Sequence, residues 1–595
     1  MADERNIRNG REIPTERYSD QPYIVQTADG AWLCVMTTGQ GHEGEPGQHV
    51  VTMRSQDCGR TWSEPVEVEP ADGPESSYAV LLAIPGGRIF CFYNHNTDNT
   101  RKIKADPSAY PDGYCRRVDS QGHFVFKYSD DHGRSWSKNR YDIPMRLMNI
   151  DRENPYGGSI LFFWNVGKAF LHDGSAYVPL HKVGGFGHGF FTRSEGVLLR
   201  SSNLLTEIDV GKISWETLPE GDYGLKAPPG GGPIAEEHSF SVLSDGSLYC
   251  VYRSVDGHPV CTYSRDNGRS WTGPVYQTYA DGRLMKHPRA ANFAWRCKNG
   301  YYLYWFHNHG GRDYEDRNPV WLAGGREIDT ESGKMIAWSQ PEIVLYDDDP
   351  FIRMSYPDLI ETEDAYYLCE TQKDKARIHQ IDPKLLTGLW HQVSADEIAA
   401  DGLEMAISAH DQPLPRQIPM PHLPSFFVRD QDQPDYRGFH TRAGFSFELL
   451  LQLKTVDTCQ TVFDNRRADG KGFCLRLTQS HRLEILLHDG RTENRWLSDA
   501  GMLKPDRTHH IVVTMDGGPC IITYVIDGKL CDGGNNRQFG WGRFSPYLRD
   551  VNGLTQIELK DNPAFKILQM RLYGRALRTS EAIGNFRSLS KPGAK

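Results

Sequence analysis

The sequence predicts an all-β protein in two parts, a repeated array of small antiparallel sheets followed by an antiparallel β-sandwich. Three observations predict it. One pattern, Ser-x-Asp-x-Gly-x-Thr/Ser-Trp, occurs three times, as Ser55-Gln-Asp57-Cys-Gly59-Arg-Thr61-Trp62, Ser129-Asp-Asp131-His-Gly133-Arg-Ser135-Trp136 and Ser264-Arg-Asp266-Asn-Gly268-Arg-Ser270-Trp271, which marks a repeat architecture. Alternating runs flank these copies, His49-Val-Val-Thr-Met-Arg54 before the first and Pro65-Val-Glu-Val68 after it, as strands beside a turn do. A proline cluster then parts this text from a second set of short strands, and a chain of 595 residues is too long for one core.

Each copy of the pattern describes a tight hairpin. The Asp accepts from backbone amides ahead of it and the Gly supplies a positive φ, while the Trp folds back on the sheet as an apolar lid. These residues are read as structural staples outside any active site. The copies begin at 55, 129 and 264, spacings equivalent to one and two units of roughly 65 residues. Degenerate hairpins fill the gaps, Leu198 to Trp215 and Leu322 to Trp338, each keeping the closing Trp without the Asp/Gly centre.

The repeats resemble the Asp-boxes (BNR repeats) of sialidases and their relatives, which are six-bladed β-propellers. The resemblance implies a six-bladed propeller over residues 15–395, in line with radial repetition of four-stranded sheets.

Beyond Pro383 the strand pattern lapses. Ser394–Ala400 is Ala/Glu-rich and reads as a short helix. Pro413, Pro415, Pro419, Pro421 and Pro424 follow; such a density of prolines excludes a helix or a central strand, so 396–424 reads as an extended connector. Strands resume at Phe445–Leu451, Gly472–Leu477, Arg482–Leu487, His510–Thr514 and Cys520–Val525, separated by Gly/Asp turns, the pattern of a sandwich. The closing Tyr573-Gly-Arg-Ala-Leu577 and Ser580–Ile583 resemble the end of concanavalin/laminin-G-like jelly rolls, which places a lectin-like sandwich at 425–592. Domains of that kind bind glycans or pack as inert neighbours.

Composition narrows the function. A hydrophobic share of 38% with 24% charged residues is ordinary for a globular chain. A net charge of −10 argues against a nucleic-acid partner, and no apolar run is long enough for a membrane span. The start, Met1-Ala-Asp-Glu-Arg-Asn6, lacks a signal core. The expectation is a cytoplasmic protein, or a secreted or periplasmic one if a leader has been removed. Twelve cysteines lie mostly in apolar strands with no Cys-x-x-Cys pair, which fits buried thiols and a reducing compartment. No ligand spacing calls for a metal, and no cofactor is expected.

The residues that could carry chemistry begin at Ala235-Glu-Glu237, followed by a strand, Leu243-Ser-Asp-Gly246, a second strand and Arg253-Ser254. This order is similar to a sialidase segment in which the Glu is base to a nucleophilic tyrosine and the Arg grips the substrate carboxylate. The resemblance implies those roles for Glu237 and Arg253. It also implies a tyrosine at a later strand start, met by Ser355-Tyr356-Pro-Asp-Leu, and a further clamp arginine, for which Arg317 in Asp316-Arg317-Asn318 comes first and Arg312 and Arg353 after it. The chemistry stands on its own terms. A phenol with a pKa near 10 needs a carboxylate to take its proton. A neutral nucleophile avoids repelling an anionic sugar, and arginines bind carboxylates bidentately.

Two family features are replaced. The Arg of the family's opening Tyr-Arg-Ile-Pro turn falls, in Tyr18-Ser-Asp20-Gln21-Pro22, at Asp20 or Gln21. The family's acid, an Asp in the loop before the first Asp-box, is absent from Gly39–His49, where His49 or Glu45 would serve, with Glu43 and His42 behind them. His95, His181, His238, His307 and His309 also end hydrophobic strands; two or three histidines, His95 and His181 among them, are expected at the axial pocket, where they suit acid–base work near neutral pH. The leading expectation is an exo-acting glycoside hydrolase releasing a terminal acidic sugar from a glycan. A propeller polysaccharide lyase acting on uronates and a non-catalytic glycan-binding protein are the alternatives.

Overall fold

The computed structural model describes residues 3–409, 413–426, 428–429, 439–441, 443–455, 459–560 and 562–589. The expected end of the sandwich at 590–592 lies outside them, as do residues 410–412 of the expected connector.

Six successive antiparallel sheets of four or five strands occupy residues 11–380. Their innermost strands are Tyr18–Gln26, Ser76–Ala83, Phe163–Trp164 with Ser175–Val183, Glu236–Val242, Phe293–Arg296 and Ser355–Glu361. The first of these lies against both the second and the last, so the array closes on itself as a β-propeller. Closure is made by hydrogen bonds: the N-terminal strand Arg11–Ile13 pairs with Ala376–Gln380 as the outer strand of the last sheet. The chain ends of the propeller are thus held by one ladder.

The three repeats form the same turn. In the first, Asp57 Oδ1 accepts from the amides of Arg60 (3.0 Å) and Thr61 (2.8 Å), and Ser55 Oγ accepts from Gly59 N at 2.8 Å. The last copy repeats the bonds at Ser270 N (2.9 Å) and Gly268 N (2.9 Å). The residue before each Gly is also left-handed, Cys58 at φ 58°, His132 at 63° and Asn267 at 60°, so the turn needs two consecutive positive φ values, one more than the pattern suggested. Asp266→Ala is expected to cost about 1 kcal/mol, a charge-assisted bond discounted for solvent exposure, and to leave activity per folded molecule unchanged; thermal unfolding paired with a substrate assay checks both.

The helix expected at 394–400 lies earlier, at Pro383–His391. Asp382 caps it through Lys384 N, Pro383 occupies its first turn, and Leu385, Leu386, Leu389 and Trp390 form its buried stripe. The Ala/Glu text that follows offers no such stripe. Nor is 396–424 only a connector. Leu403–Ser408 and Gln417–Pro419 are edge strands of the sandwich, pairing with Phe565–Tyr573 and Gln556–Leu559. Proline excludes a central strand but is tolerated at a sheet edge, where the missing N–H faces no ladder.

The sandwich consists of a seven-stranded and a six-stranded antiparallel sheet, followed by the helix Thr579–Ser588. Between the sheets lie Phe445, Phe447, Phe463, Phe473, Ile511 and Leu572. A second buried cluster joins Tyr249, Trp321 and Trp338 of the propeller to Ile521, Trp541 and Tyr573 of the sandwich. All twelve cysteines are free. No helix among the described residues is long and apolar enough to cross a membrane.

Candidate active site

In four sheets the innermost strand breaks register at its start: between Asp20 and Tyr23, Ser77 and Val80, Glu236 and Ser239, and Ser355 and Asp358. Each break holds one non-glycine residue in the left-handed region, Gln21 (φ 51°), Tyr78 (56°), Glu237 (57°) and Tyr356 (47°). A bulge re-aims a side chain out of the strand's alternation, and such backbone strain persists only where packing over-determines it. Here Gln21, Glu237 and Tyr356 reach groups of other sheets, while Tyr78 reaches the loop ahead of His123–Ser129 in its own sheet. Tyr356 Oη donates to Glu237 Oε1 at 2.9 Å across the ring. Gln21 Nε2 donates to Asn165 O at 2.9 Å, and Tyr78 Oη donates to Asp119 Oδ2 at 2.6 Å.

The residue preceding each bulge seats a cation in three of the four sheets. Glu236 binds Arg253 Nε (2.8 Å) and Arg289 Nη2 (2.6 Å), and Arg253 Nη1 also pairs with Glu237 Oε2 at 2.8 Å. Ser355 Oγ accepts from Arg317 Nη1 at 2.6 Å. Asp20 Oδ2 accepts from Lys373 Nζ at 2.8 Å and from Tyr18 Oη at 2.6 Å. Lys373 reaches Glu43 Oε2 at 3.1 Å and stands 4.3 Å from the centroid of the Tyr356 ring. Arg253, Arg289 and Arg317 all face the ring of Tyr314, at 5.6, 4.8 and 5.9 Å.

The remaining wall is aromatic and charged. Arg117 binds Asp119 (2.7 Å) and Glu43 (3.1 Å) and lies over Trp164 and Phe190 at 4.9 and 4.8 Å. Tyr78 packs on Trp164 with ring centroids 4.1 Å apart. Gly189 O, beside Phe190, accepts from Arg289 Nη1 at 2.5 Å and from Tyr314 Oη at 3.3 Å, which ties the aromatic wall to the arginine wall.

Proton affinities follow from this packing. Burial raises Glu237, Arg253 opposes the rise, and the charge of Glu236 adds to it, leaving the carboxyl above its ordinary range. Burial and then the Glu237 charge hold the Tyr356 phenol well above 10, so it rests protonated and donates to Glu237. Burial would also raise Glu236 and Glu43, but Arg253 with Arg289 and Lys373 with Arg117 outweigh it and hold each at about 2. Asp20 goes the other way: burial exceeds the pull of Lys373, and its Oδ1 has no partner. Arg317 is depressed by burial. It is 6% exposed and bonds only neutral oxygens, with no carboxylate within 4.0 Å among the described residues.

Of the residues expected from the sequence, Tyr356, Glu237, Arg253, Arg317 and Asp20 converge here. His181 stands just behind, accepting from Glu237 N at 3.3 Å, and burial lowers it to about 3. The rest are elsewhere. Glu45 is exposed and accepts from His42 N within its own loop. His49 is buried and its ring contacts Gly47 O and Glu16, none of the groups gathered around Tyr356. Glu43 is the member of that loop that meets Lys373 and Arg117. His95 bonds Thr97 Oγ1, Arg353 pairs with Glu315 on the surface, and Arg312 lines a cavity of about 570 Å³ between propeller and sandwich. Sequence reasoning missed Glu236, Arg289, Tyr314, Lys373 and Arg117. Glu236 and Arg289 carry a signal, an ion partner one residue from Glu237 and an arginine just ahead of an innermost strand. Lys373 carries none, since Gln372-Lys373-Asp374-Lys375 reads as a solvated turn.

Comparison with known proteins adds the following. Residues 116–369 match the family model described as a BNR repeat-like domain. Residues 432–582 match that of the concanavalin A-like lectin/glucanases superfamily. Among curated proteins no match is found. Solved structures similar to the chain include the intramolecular trans-sialidase from Ruminococcus gnavus, at 14% identity over 65% of this chain and 99% of that one, with a TM-score of 0.44. Trypanosoma rangeli sialidase is 12% identical over 96% of this chain and 94% of its own, with a TM-score of 0.42. A protein of unknown function from Dyadobacter fermentans is 14% identical over 63% and 97%, with a TM-score of 0.41.

Proposed function

We propose that the protein is an exo-acting glycoside hydrolase that releases a terminal acidic sugar, of the sialic acid class, from glycans. The observation that carries this reading is the Tyr356–Glu237 hydrogen bond of 2.9 Å beside Arg317, a buried guanidinium lacking a carboxylate partner. A tyrosine paired with a carboxylate is a nucleophile with its base. A buried cation without a counter-ion is costly unless a ligand supplies the anion.

In this reading the sugar carboxylate lies against Arg317 and Arg253, displacing no protein carboxylate from Arg317. Tyr356 Oη attacks the anomeric carbon while its proton passes to Glu237, and the bond to the leaving oxygen breaks. The proton for that oxygen comes from the Asp20–Glu43–Lys373 group, in which burial holds Asp20 toward its protonated form. Water then attacks the glycosyl-tyrosine, giving its proton back to the same group, and Glu237 reprotonates the phenol. Two displacements retain anomeric configuration. Supplying aryl glycosides of sialic acids and of uronic acids tests the reading. Release of the aryl alcohol with a retained first product is expected. An unsaturated product absorbing in the near ultraviolet, or binding with no turnover on any acidic glycoside, would overturn it.

The pH profile offers a separate check. Glu237 must be ionised to take the tyrosine proton, so the acidic limb of kcat/KM reports its raised pKa. Glu236→Gln removes a like charge and frees Arg253 to serve Glu237 alone, and both changes lower that pKa. The limb is expected to move to lower pH; a limb that stays or rises would assign it to another group.

A further inference from the structure

We infer that the C-terminal sandwich is a working part of the site, because Trp541, Gln538 and Arg543 position the loop that carries Arg317 and Tyr314. That loop, residues 307–319, joins two strands of the fifth sheet, Tyr302–Phe306 and Val320–Thr330. It contains no regular structure; His309 Nε2 meets Asp316 O at 2.9 Å and Gly311 N donates to His309 Nδ1 at 3.2 Å within it, and other backbone groups of the loop take partners from outside.

The sandwich supplies such partners at three points along its length. Trp541 Nε1 donates to Asn308 O at 3.0 Å. Gly310 N donates to Gln538 O at 2.9 Å, and Gln538 Nε2 meets His309 Nδ1 at 3.2 Å. Arg543 Nη2 donates to Asn318 O at 2.8 Å, at the residue next to Arg317. His309 also stacks on Phe539 with centroids 4.8 Å apart. From inside the propeller the same loop is held by Arg289 N donating to Asp313 O (3.1 Å) and by Asn318 Nδ2 donating to Asp347 O (2.9 Å).

The consequence runs from interface to chemistry in two steps. Arg317 donates from Nε to Tyr314 O at 2.9 Å and from Nη1 to Ser355 Oγ, the neighbour of Tyr356. A shift of the 308 and 318 carbonyls therefore moves both the guanidinium and the tyrosine ring that faces all three arginines. Trp541 is 5% exposed and lies in the hydrophobic cluster shared by the two parts of the chain, so its indole is fixed before it bonds the loop. A sandwich serving only as a glycan-binding appendage would have no need to grip this loop at both ends.

The kinetic arm of the test rests on the glycosidase reading, and the exchange arm does not. Full-length Trp541→Phe/Arg543→Met is compared with wild type and with Gln340→Ala. Gln340 bonds Gly528 O and Leu530 N at 2.7 and 2.6 Å on another part of the interface. Amide hydrogen exchange in 308–318 is expected to quicken about tenfold or more in the double variant and to stay unchanged in Gln340→Ala. On whichever acidic aryl glycoside wild type hydrolyses, KM is expected to rise about tenfold with kcat within about threefold, the pattern of lost substrate positioning. Should the double variant fail to fold, Gln538→Ala, on an exposed side chain, is expected to give the same pattern in smaller measure. Unchanged exchange in 308–318 in the variants that fold would overturn the inference. Absence of turnover in wild type would sink the glycosidase reading and leave the exchange result to decide this one.

Discussion

Tyr356→Phe is expected to lower kcat by roughly 10³-fold or more while the protein stays folded, because the step that Phe cannot perform is the bond formation itself. The ring sits buried at 4% exposure, and Phe keeps its shape and its contact with Lys373. What is lost is one hydrogen bond to Glu237, leaving a buried carboxylate oxygen with one partner fewer. That costs about 1–3 kcal/mol, an amount a large double-cored chain tolerates. Glu237→Gln separates the base from a mere spacer. The amide can still bond the phenol but cannot take its proton, so turnover is expected to fall comparably. Glu237→Ala should add a stability loss, since Arg253 then keeps only Glu236. Full activity in Tyr356→Phe and Glu237→Gln, measured on the same aryl glycoside with near-ultraviolet circular dichroism as the fold control, would remove the nucleophile assignment.

The fold was legible because its strongest signals are local. Ser55, Asp57 and Gly59 make their hydrogen bonds within one turn, so the pattern and the structure are the same object seen twice. Glu237, Arg253 and Tyr356, which the structure brings together, each lie at the end or beginning of a strand whose register the repeats set. Lys373 does not. Its importance comes from a turn of the last sheet folding against Asp20 in the first, a contact 353 residues apart in sequence. The choice of Glu45 over Glu43 failed for a similar reason. Both lie in one loop, and only the tertiary placement of Lys373 and Arg117 decides which carboxylate faces the ring. The helix lies at Pro383–His391 because Asp382-Pro383 is a stronger start signal than the Ala/Glu composition of 394–400. The proline cluster excludes a central strand, and that rule leaves an edge strand such as Gln417–Pro419 open.

Arg317→Met is expected to weaken binding of an acidic sugar by roughly 30- to 1000-fold and, at the same time, to raise thermal stability. The two effects share one cause. A guanidinium with 6% exposure and only neutral acceptors has given up water without gaining a directly paired counter-ion, the Glu237 charge acting on it only from beyond 4.0 Å. The uncompensated part of that penalty is several kcal/mol. Against it stand the bonds to Ser355 Oγ and Tyr314 O, worth about 1 kcal/mol each. Removing the charge while keeping the bulk therefore favours the folded state on balance, and sites built for ligands commonly carry this trade. A bound carboxylate reverses the sign, because it supplies the missing anion in a site already dry, where a charge-assisted pair is strong. The methyl ester of the same sugar cannot supply it, so its weaker binding should be nearly indifferent to the substitution. Unfolding midpoints with and without the acid form, alongside inhibition constants for acid and ester, separate the outcomes. A lower midpoint in the variant, with acid and ester affected alike, would make Arg317 a structural arginine and take the acidic sugar out of the proposal.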